Sequence, residues 1–109
     1  MLIPEIALTY QTVKRFVNVF GDRVSVLNSK MSPGERYDQF LRASNGDIDV
    51  MIGPRSAIFT PFNNIGIIVL DEEHEESYRN ENTPCYDTRE VAKFLTKKHN
   101  APLVLASAT

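Results

Sequence analysis

The run Ile65-Gly66-Ile67-Ile68-Val69-Leu70-Asp71-Glu72-Glu73-His74 is an apolar stretch that stops abruptly at carboxylates. Short, rich in β-branched residues and without alternation, it predicts a strand covered on both faces, as in the parallel sheet of an α/β layer structure. Such sheets hold ligands at the carboxyl ends of their strands. Asp71 and Glu72 therefore stand where the sheet opens, with side chains that diverge and can serve two tasks. The first acid can hold Mg²⁺, a hard cation that takes oxygen ligands and keeps several waters. The second can polarise an attacking water, which makes the pair half of a phosphoryl-transfer site. Taken alone, the pair also fits a solvated strand end running into a charged loop, and His74 alone also fits a surface histidine. No G-x-x-x-x-G-K-[ST] loop occurs in residues 1–109, so the groups that would grip the β- and γ-phosphates are not among them.

Around this run the chain divides into alternating strand and helix patterns. Met1-Leu2-Ile3 before Pro4 reads as the last residues of a strand whose beginning is short or missing. Val13, Phe16, Val17 and Phe20 recur at helical spacing, predicting a first helix over residues 8–20 that ends at Gly21. Residues 23–28 alternate and predict a strand. Ser32-Pro33-Gly34-Glu35 then carries a capping-box pattern, opening a second helix that turns Tyr37, Phe40 and Leu41 inward before Asn45-Gly46. Ile48, Val50 and Ile52 predict a third strand, delivering Gly53-Pro54-Arg55-Ser56-Ala57 to its carboxyl end. A glycine, an arginine and a hydroxyl suit a phosphate contact there, and equally an ordinary strand-to-helix turn. Residues 75–86 read as a long loop whose Tyr78 and Tyr86 either stack bases or pin the loop to the core. Asp87-Thr88-Arg89-Glu90 opens a last helix with Val91, Ala92 and Leu95 inward, and Leu103-Val104-Leu105-Ala106 is the last strand, ending at Ser107-Ala108-Thr109.

Composition narrows the class. A 109-residue chain with 42% hydrophobic and 24% charged residues is that of an ordinary globular domain, and no apolar stretch approaches the roughly 20 residues of a membrane span. Cys85 is the only cysteine, which excludes an intrachain disulfide and a cysteine zinc cluster and makes a cytoplasmic location the expectation. The net charge of −2 is unevenly spread: Asp71, Glu72, Glu73, Glu75, Glu76 and Glu81 crowd together with only Arg79 as counterweight. The remainder is mildly basic, which permits contact with a nucleic-acid backbone.

Taken together, Pro4-Glu5-Ile6-Ala7-Leu8-Thr9, Gly53-x-Arg55-Ser56-Ala57, Asp71-Glu72-Glu73-His74 and Ser107-Ala108-Thr109 resemble the superfamily 2 (DEAH-like) helicases in order and spacing. Within them the chain is most similar to the primosomal replication-restart helicases, a likeness that extends through Gly34-Glu35-Arg36-Tyr37, Pro61-Phe62, Ser77-Tyr78 and Arg89-Glu90-Val91-Ala92. The resemblance implies that residues 1–109 are part of a first RecA-like lobe, an α/β fold with a mostly parallel sheet and helices on both faces. The phosphate-loop strand and helix of that lobe would lie outside them. It implies an ATP-dependent 3′–5′ DNA helicase that translocates on single-stranded DNA, with ATP and Mg²⁺ as cofactors and zinc only in other parts of the family's proteins. Forked DNA and primosome proteins are the partners it implies.

On that likeness Asp71 would hold the Mg²⁺ of MgATP, Glu72 would orient the hydrolytic water, and His74 would link the nucleotide to Ser107 and Thr109, which couple hydrolysis to DNA movement. Pro4, Thr9, Gly53, Arg55 and Ser56 would touch the DNA backbone, and Tyr78 and Tyr86 would belong to a loop that senses single strands. The chain departs from the pattern at Tyr10, where the family usually has proline, at Pro54, where it has a small residue, and at Cys85, where a basic residue is common. Residues 1–109 alone are expected to be inactive and to self-associate through apolar surface left open beside the central strand. The readings from other classes are a self-contained metal-dependent hydrolase using Asp71, Glu72 and His74, and a non-enzymatic α/β interaction domain.

Overall fold

The structure is a computed structural model and describes residues 1–3, 8–71, 79–80 and 86–106, with residues 79, 80 and 86 described by their backbone. Among these residues the elements run α1 (Tyr10–Phe20), β1 (Val24–Val26), α2 (Pro33–Ser44), β2 (Val50–Ile52), a 3₁₀ turn (Arg55–Phe59), β3 (Ile68–Asp71), β4 (Arg79–Asn80), β5 (Tyr86–Asp87), α3 (Thr88–His99) and β6 (Leu103–Ala106). β4 and β5 form a small antiparallel pair. The other described strands pair in parallel, as the apolar runs predict.

A three-residue segment at the amino terminus joins the strands into one row. β1 pairs with β2 and β3 with β6, while Leu2 forms parallel bridges to both Gly53 and Leu70. The order across the sheet is therefore β1, β2, residues 1–3, β3, β6. The ladder is complete on both sides of the inserted segment: Leu2 N donates to Val69 O (2.7 Å) and Asp71 N to Leu2 O (2.9 Å), while Ile3 N donates to Gly53 O (2.9 Å) and Gly53 N to Met1 O (3.2 Å). Leu2, Ile3, Leu27, Ile52 and Leu70 are buried at the centre of this arrangement.

Met1 N donates to Met51 O (2.7 Å) and so extends the pairing of residues 1–3 with β2.

Local chemistry sets the helix boundaries. Thr9 caps α1, its hydroxyl accepting from Thr12 N (3.3 Å) and pairing with the Thr12 hydroxyl (3.0 Å). α2 has the full capping box: Glu35 N donates to Ser32 Oγ (3.1 Å) and Ser32 N to Glu35 Oε1 (3.2 Å), with Pro33 at the first helical position. Asp87 caps α3 by accepting from Arg89 N (2.9 Å). Lys97, Lys98 and His99 fill its last turn, where positive charge suits the helix dipole. At the amino ends of β1 and β2, Arg23 pairs with Asp49 (2.7 Å) and holds that exposed carboxyl below its usual range.

Several expectations are corrected. The central strand starts at Ile68, not Ile65, because its partner β6 begins only after Pro102; Ile68 N reaches Pro102 O (3.2 Å), and Ile67 is exposed. β3 is paired on both sides, so among the described residues the row's edges are β1 and β6, and on β6 Val104 and Leu105 are exposed. Tyr37 is 64% exposed and Leu41 is exposed as well; α2 buries Ala43 instead. α1 buries no residue fully. Phe16 and Phe20 stack on each other at 6.3 Å and, with Leu2, Ile58, Phe62 and Ile68, line an apolar pocket of about 400 Å³.

Candidate functional site

Because the strands of the row are parallel, their carboxyl ends share one edge, and this edge collects the described candidate residues. Asp71 closes β3, half-buried, opposite Ala106 in β6 and tied through its amide to Leu2 O. Two rows away β2 ends at Ile52 and passes through Gly53 and Pro54 into the 3₁₀ turn that begins with Arg55 and Ser56, both half-buried. The turn is fastened by Ala57 N to Pro54 O (2.8 Å) and by the buried Thr60 hydroxyl, which donates to Ala57 O (2.7 Å). Thr9, at the start of α1, is exposed.

Gly53 contributes space. Its amide and carbonyl are both used by residues 1–3, and a Cβ there would lie 3.1 Å from Ala57 Cβ, 3.1 Å from Leu27 Cβ and 3.3 Å from Leu27 O. The close approach is thus between neighbouring pieces of the chain, and it sets where the turn leaves the sheet. Gly53→Ala should cost about 1–3 kcal/mol through overpacking. Unchanged stability of that variant in chemical denaturation would contradict the packing.

Of the remaining candidates, Pro4, Glu72, His74, Tyr78, Ser107 and Thr109 lie outside the described residues, and Tyr86 is described only as the β5 residue whose backbone pairs with Asn80. Among the described residues no group of three His, Cys, Asp or Glu side chains could hold a metal. No helix among them is long and apolar enough to cross a membrane. The segment 1–3 as the link between β2 and β3 was not legible as part of the site. Thr9 as a cap was missed too, although Thr9-x-x-Thr12 carries the signal of an N-cap hydroxyl reaching three residues on.

Residues 1–109, the whole chain, match the family described as DEAD/DEAH box helicase. The chain belongs to that family. The replication restart protein PriA of Bacillus subtilis (strain 168) is 47% identical over 109 residues, and that of Chlamydia pneumoniae 46% over 110. The PriA protein of Helicobacter pylori (strain J99) is 35% identical over 109 residues. Each alignment covers 100% of this chain but only 14%, 15% and 18% of the respective relative, so the chain spans about a sixth of their length. Nothing in the family match supports the metal-hydrolase or interaction-domain readings.

Proposed function

We propose that residues 1–109 form part of the first RecA-like lobe of an ATP-dependent 3′–5′ DNA helicase that acts in replication restart and primosome assembly. The observation that carries this is the shared edge: parallel pairing sets Asp71 at one strand end and Arg55 and Ser56 just beyond another, joined by the doubly paired residues 1–3. A nucleotide site and a DNA track on one rigid edge is what coupling hydrolysis to movement requires. The names and full-chain identities of the relatives supply the replication-restart setting.

Mg²⁺ draws most of its ligands from phosphate and water, so a single carboxylate such as Asp71 at a strand end fits its part in holding MgATP. Bound MgATP would supply the phosphoryl group and the metal's charge neutralisation. Asp71 holds the cation, Glu72 orients the attacking water, and His74 connects that water's surroundings to Ser107 and Thr109. Arg55 and Ser56 hold phosphates of the tracked strand, Gly53 places their turn, and Pro4 and Thr9 extend the contact. Tyr86 opens β5, so the residues expected as one long loop include the β4–β5 pair, and Tyr78 and Tyr86 belong to this segment, which senses the single strand. Because the phosphate-gripping loop does not occur in residues 1–109, these residues alone do not hydrolyse ATP.

Arg55 gives the direct test. In the full-length protein Arg55→Ala should weaken single-stranded DNA binding about tenfold and flatten the slope of log K against log salt by about 0.7 for each phosphate that the guanidinium no longer neutralises. An unchanged affinity and slope would remove Arg55 and its turn from the DNA track.

A further inference from the structure

One peptide unit lies directly between the two halves of the edge. Residues 1–3 bond to β3 through Leu2 and to the end of β2 through Met1 and Ile3, so the planar Leu2–Ile3 peptide serves both sides. Its oxygen accepts from Asp71 N (2.9 Å), and its N–H donates to Gly53 O (2.9 Å). The Gly53 carbonyl belongs in turn to the peptide bond with Pro54, whose ring fixes the next backbone angle, and Pro54 O accepts from Ala57 N (2.8 Å) across Arg55 and Ser56. A row of backbone groups therefore runs from the amide of the acid, through a single rigid plane, to the turn that carries the arginine. Its surroundings leave no slack. Leu2 is 4% and Ile3 1% exposed, and a Cβ on Gly53 would already lie 3.1 Å from both Leu27 Cβ and Ala57 Cβ. Packing of that density passes a displacement on instead of absorbing it.

We propose that Ile3 is a positioning residue that couples the two sites: DNA seated on Arg55 shifts Gly53, and the Leu2–Ile3 plane carries that shift to Asp71. This relay rests on the readings of the DNA track and the nucleotide site above and adds a route between them. It is separate from the link assigned to His74, Ser107 and Thr109, because it uses main-chain groups and reaches Asp71 from the side of β2. Hydrogen bonds that share one peptide group polarise each other, so losing the bond to Gly53 also weakens the oxygen that holds the Asp71 amide. Such coupling is reciprocal. The factor by which DNA binding changes nucleotide affinity is the factor by which nucleotide binding changes DNA affinity. Nothing local in the sequence marks Ile3, since its side chain reads as core and its role lies in an N–H that every residue but proline carries.

The test removes the donor and keeps the side chain. In the full-length protein Ile3 is exchanged for the α-hydroxy acid with the same side chain, which turns the Leu2–Ile3 peptide into an ester. Ile3→Val, which keeps the N–H and trims the side chain, is the control. The coupling factor is the change in affinity for a fluorescent oligo-dT strand on saturation with a non-hydrolysable MgATP analogue, and such factors are typically about 5–150-fold. The ester should lower it to about a third of the parental value or less, with DNA affinity in the absence of nucleotide within about twofold of the parent's, whereas Ile3→Val should keep the parental factor. A parental factor in the ester variant, with Arg55→Ala still impaired in DNA binding, would overturn the relay and leave the DNA track standing. Parental DNA affinity in Arg55→Ala would overturn both. An equal loss of coupling in Ile3→Val would assign the effect to side-chain packing and overturn the relay as well. Hydrogen exchange of the unmodified protein needs no variant to fold: single-stranded DNA without nucleotide should slow exchange at the Asp71 amide about fivefold or more, and an unchanged rate would overturn the relay.

Discussion

Asp71→Asn is expected to lower DNA-stimulated ATP hydrolysis by the full-length protein about 100-fold or more, with little loss of folded stability. The substitution keeps the size and the backbone of the residue. The amide of Asp71 donates to Leu2 O and its Cα faces Ala106, and both relations survive in asparagine. What disappears is a full negative charge at the edge where the proposed reading puts the cation of the nucleotide. Several kcal/mol of charge stabilisation in a phosphoryl-transfer site corresponds to a factor of this size. Nucleotide hydrolysis measured with and without single-stranded DNA, beside a thermal melt, separates the effects. A variant that hydrolyses ATP normally would remove Asp71 from the site, and with it the role assigned to the end of β3. A variant that fails to fold would mean that the carboxylate is structural.

The acid itself was legible because an apolar run ending in carboxylates carries its own signal: Leu70 must be inside and Asp71 must be at a boundary. Arg55 and Ser56 were legible for the same reason, following Ile52 through a glycine. What could not be read was which strand ends are neighbours. Leu2 lies 51 residues from Gly53 and 68 from Leu70 in sequence, yet it hydrogen-bonds into both strands, and no local pattern encodes a pairing over such separations.

Elements were legible where local hydrogen bonding decides them and less so where tertiary packing does. The capping box of Ser32 and Glu35 is contained within four residues, and α2 begins where it predicts. The inward face of α2 was misjudged because a helical stripe of Tyr37, Phe40 and Leu41 says which residues are apolar, not how much surface exists to cover them. α1 repeats the lesson: Val13, Phe16, Val17 and Phe20 make a clear stripe, but Val17 and Phe20 stay exposed. Ile65 and Ile67 precede β3 as irregular chain for a different reason. A strand can extend only as far as its partner, and β6 starts after Asn100, which takes a left-handed conformation (φ 53°), and Pro102.

Leu70 offers the contrasting test, one residue before Asp71. It is fully buried, bridged to Leu2 on one side and registered with Leu105 on the other. Leu70→Ala removes the side chain from a position where neighbouring strands are fixed by their own hydrogen bonds and cannot collapse into the space. The expected cost is therefore toward the upper part of the usual range for such truncations, about 3–5 kcal/mol. Leu70→Met, which conserves volume, should cost less than about 1.5 kcal/mol. Denaturation midpoints of the three proteins measure this directly. Below the melting temperature of the alanine variant, ATP hydrolysis should fall less than it does in Asp71→Asn, since the carboxylate is still present and the backbone on either side of it is still paired. If Leu70→Ala instead abolished hydrolysis as completely as Asp71→Asn while remaining folded, the position of Asp71 would depend on core packing beneath it rather than on the ladder that residues 1–3 provide.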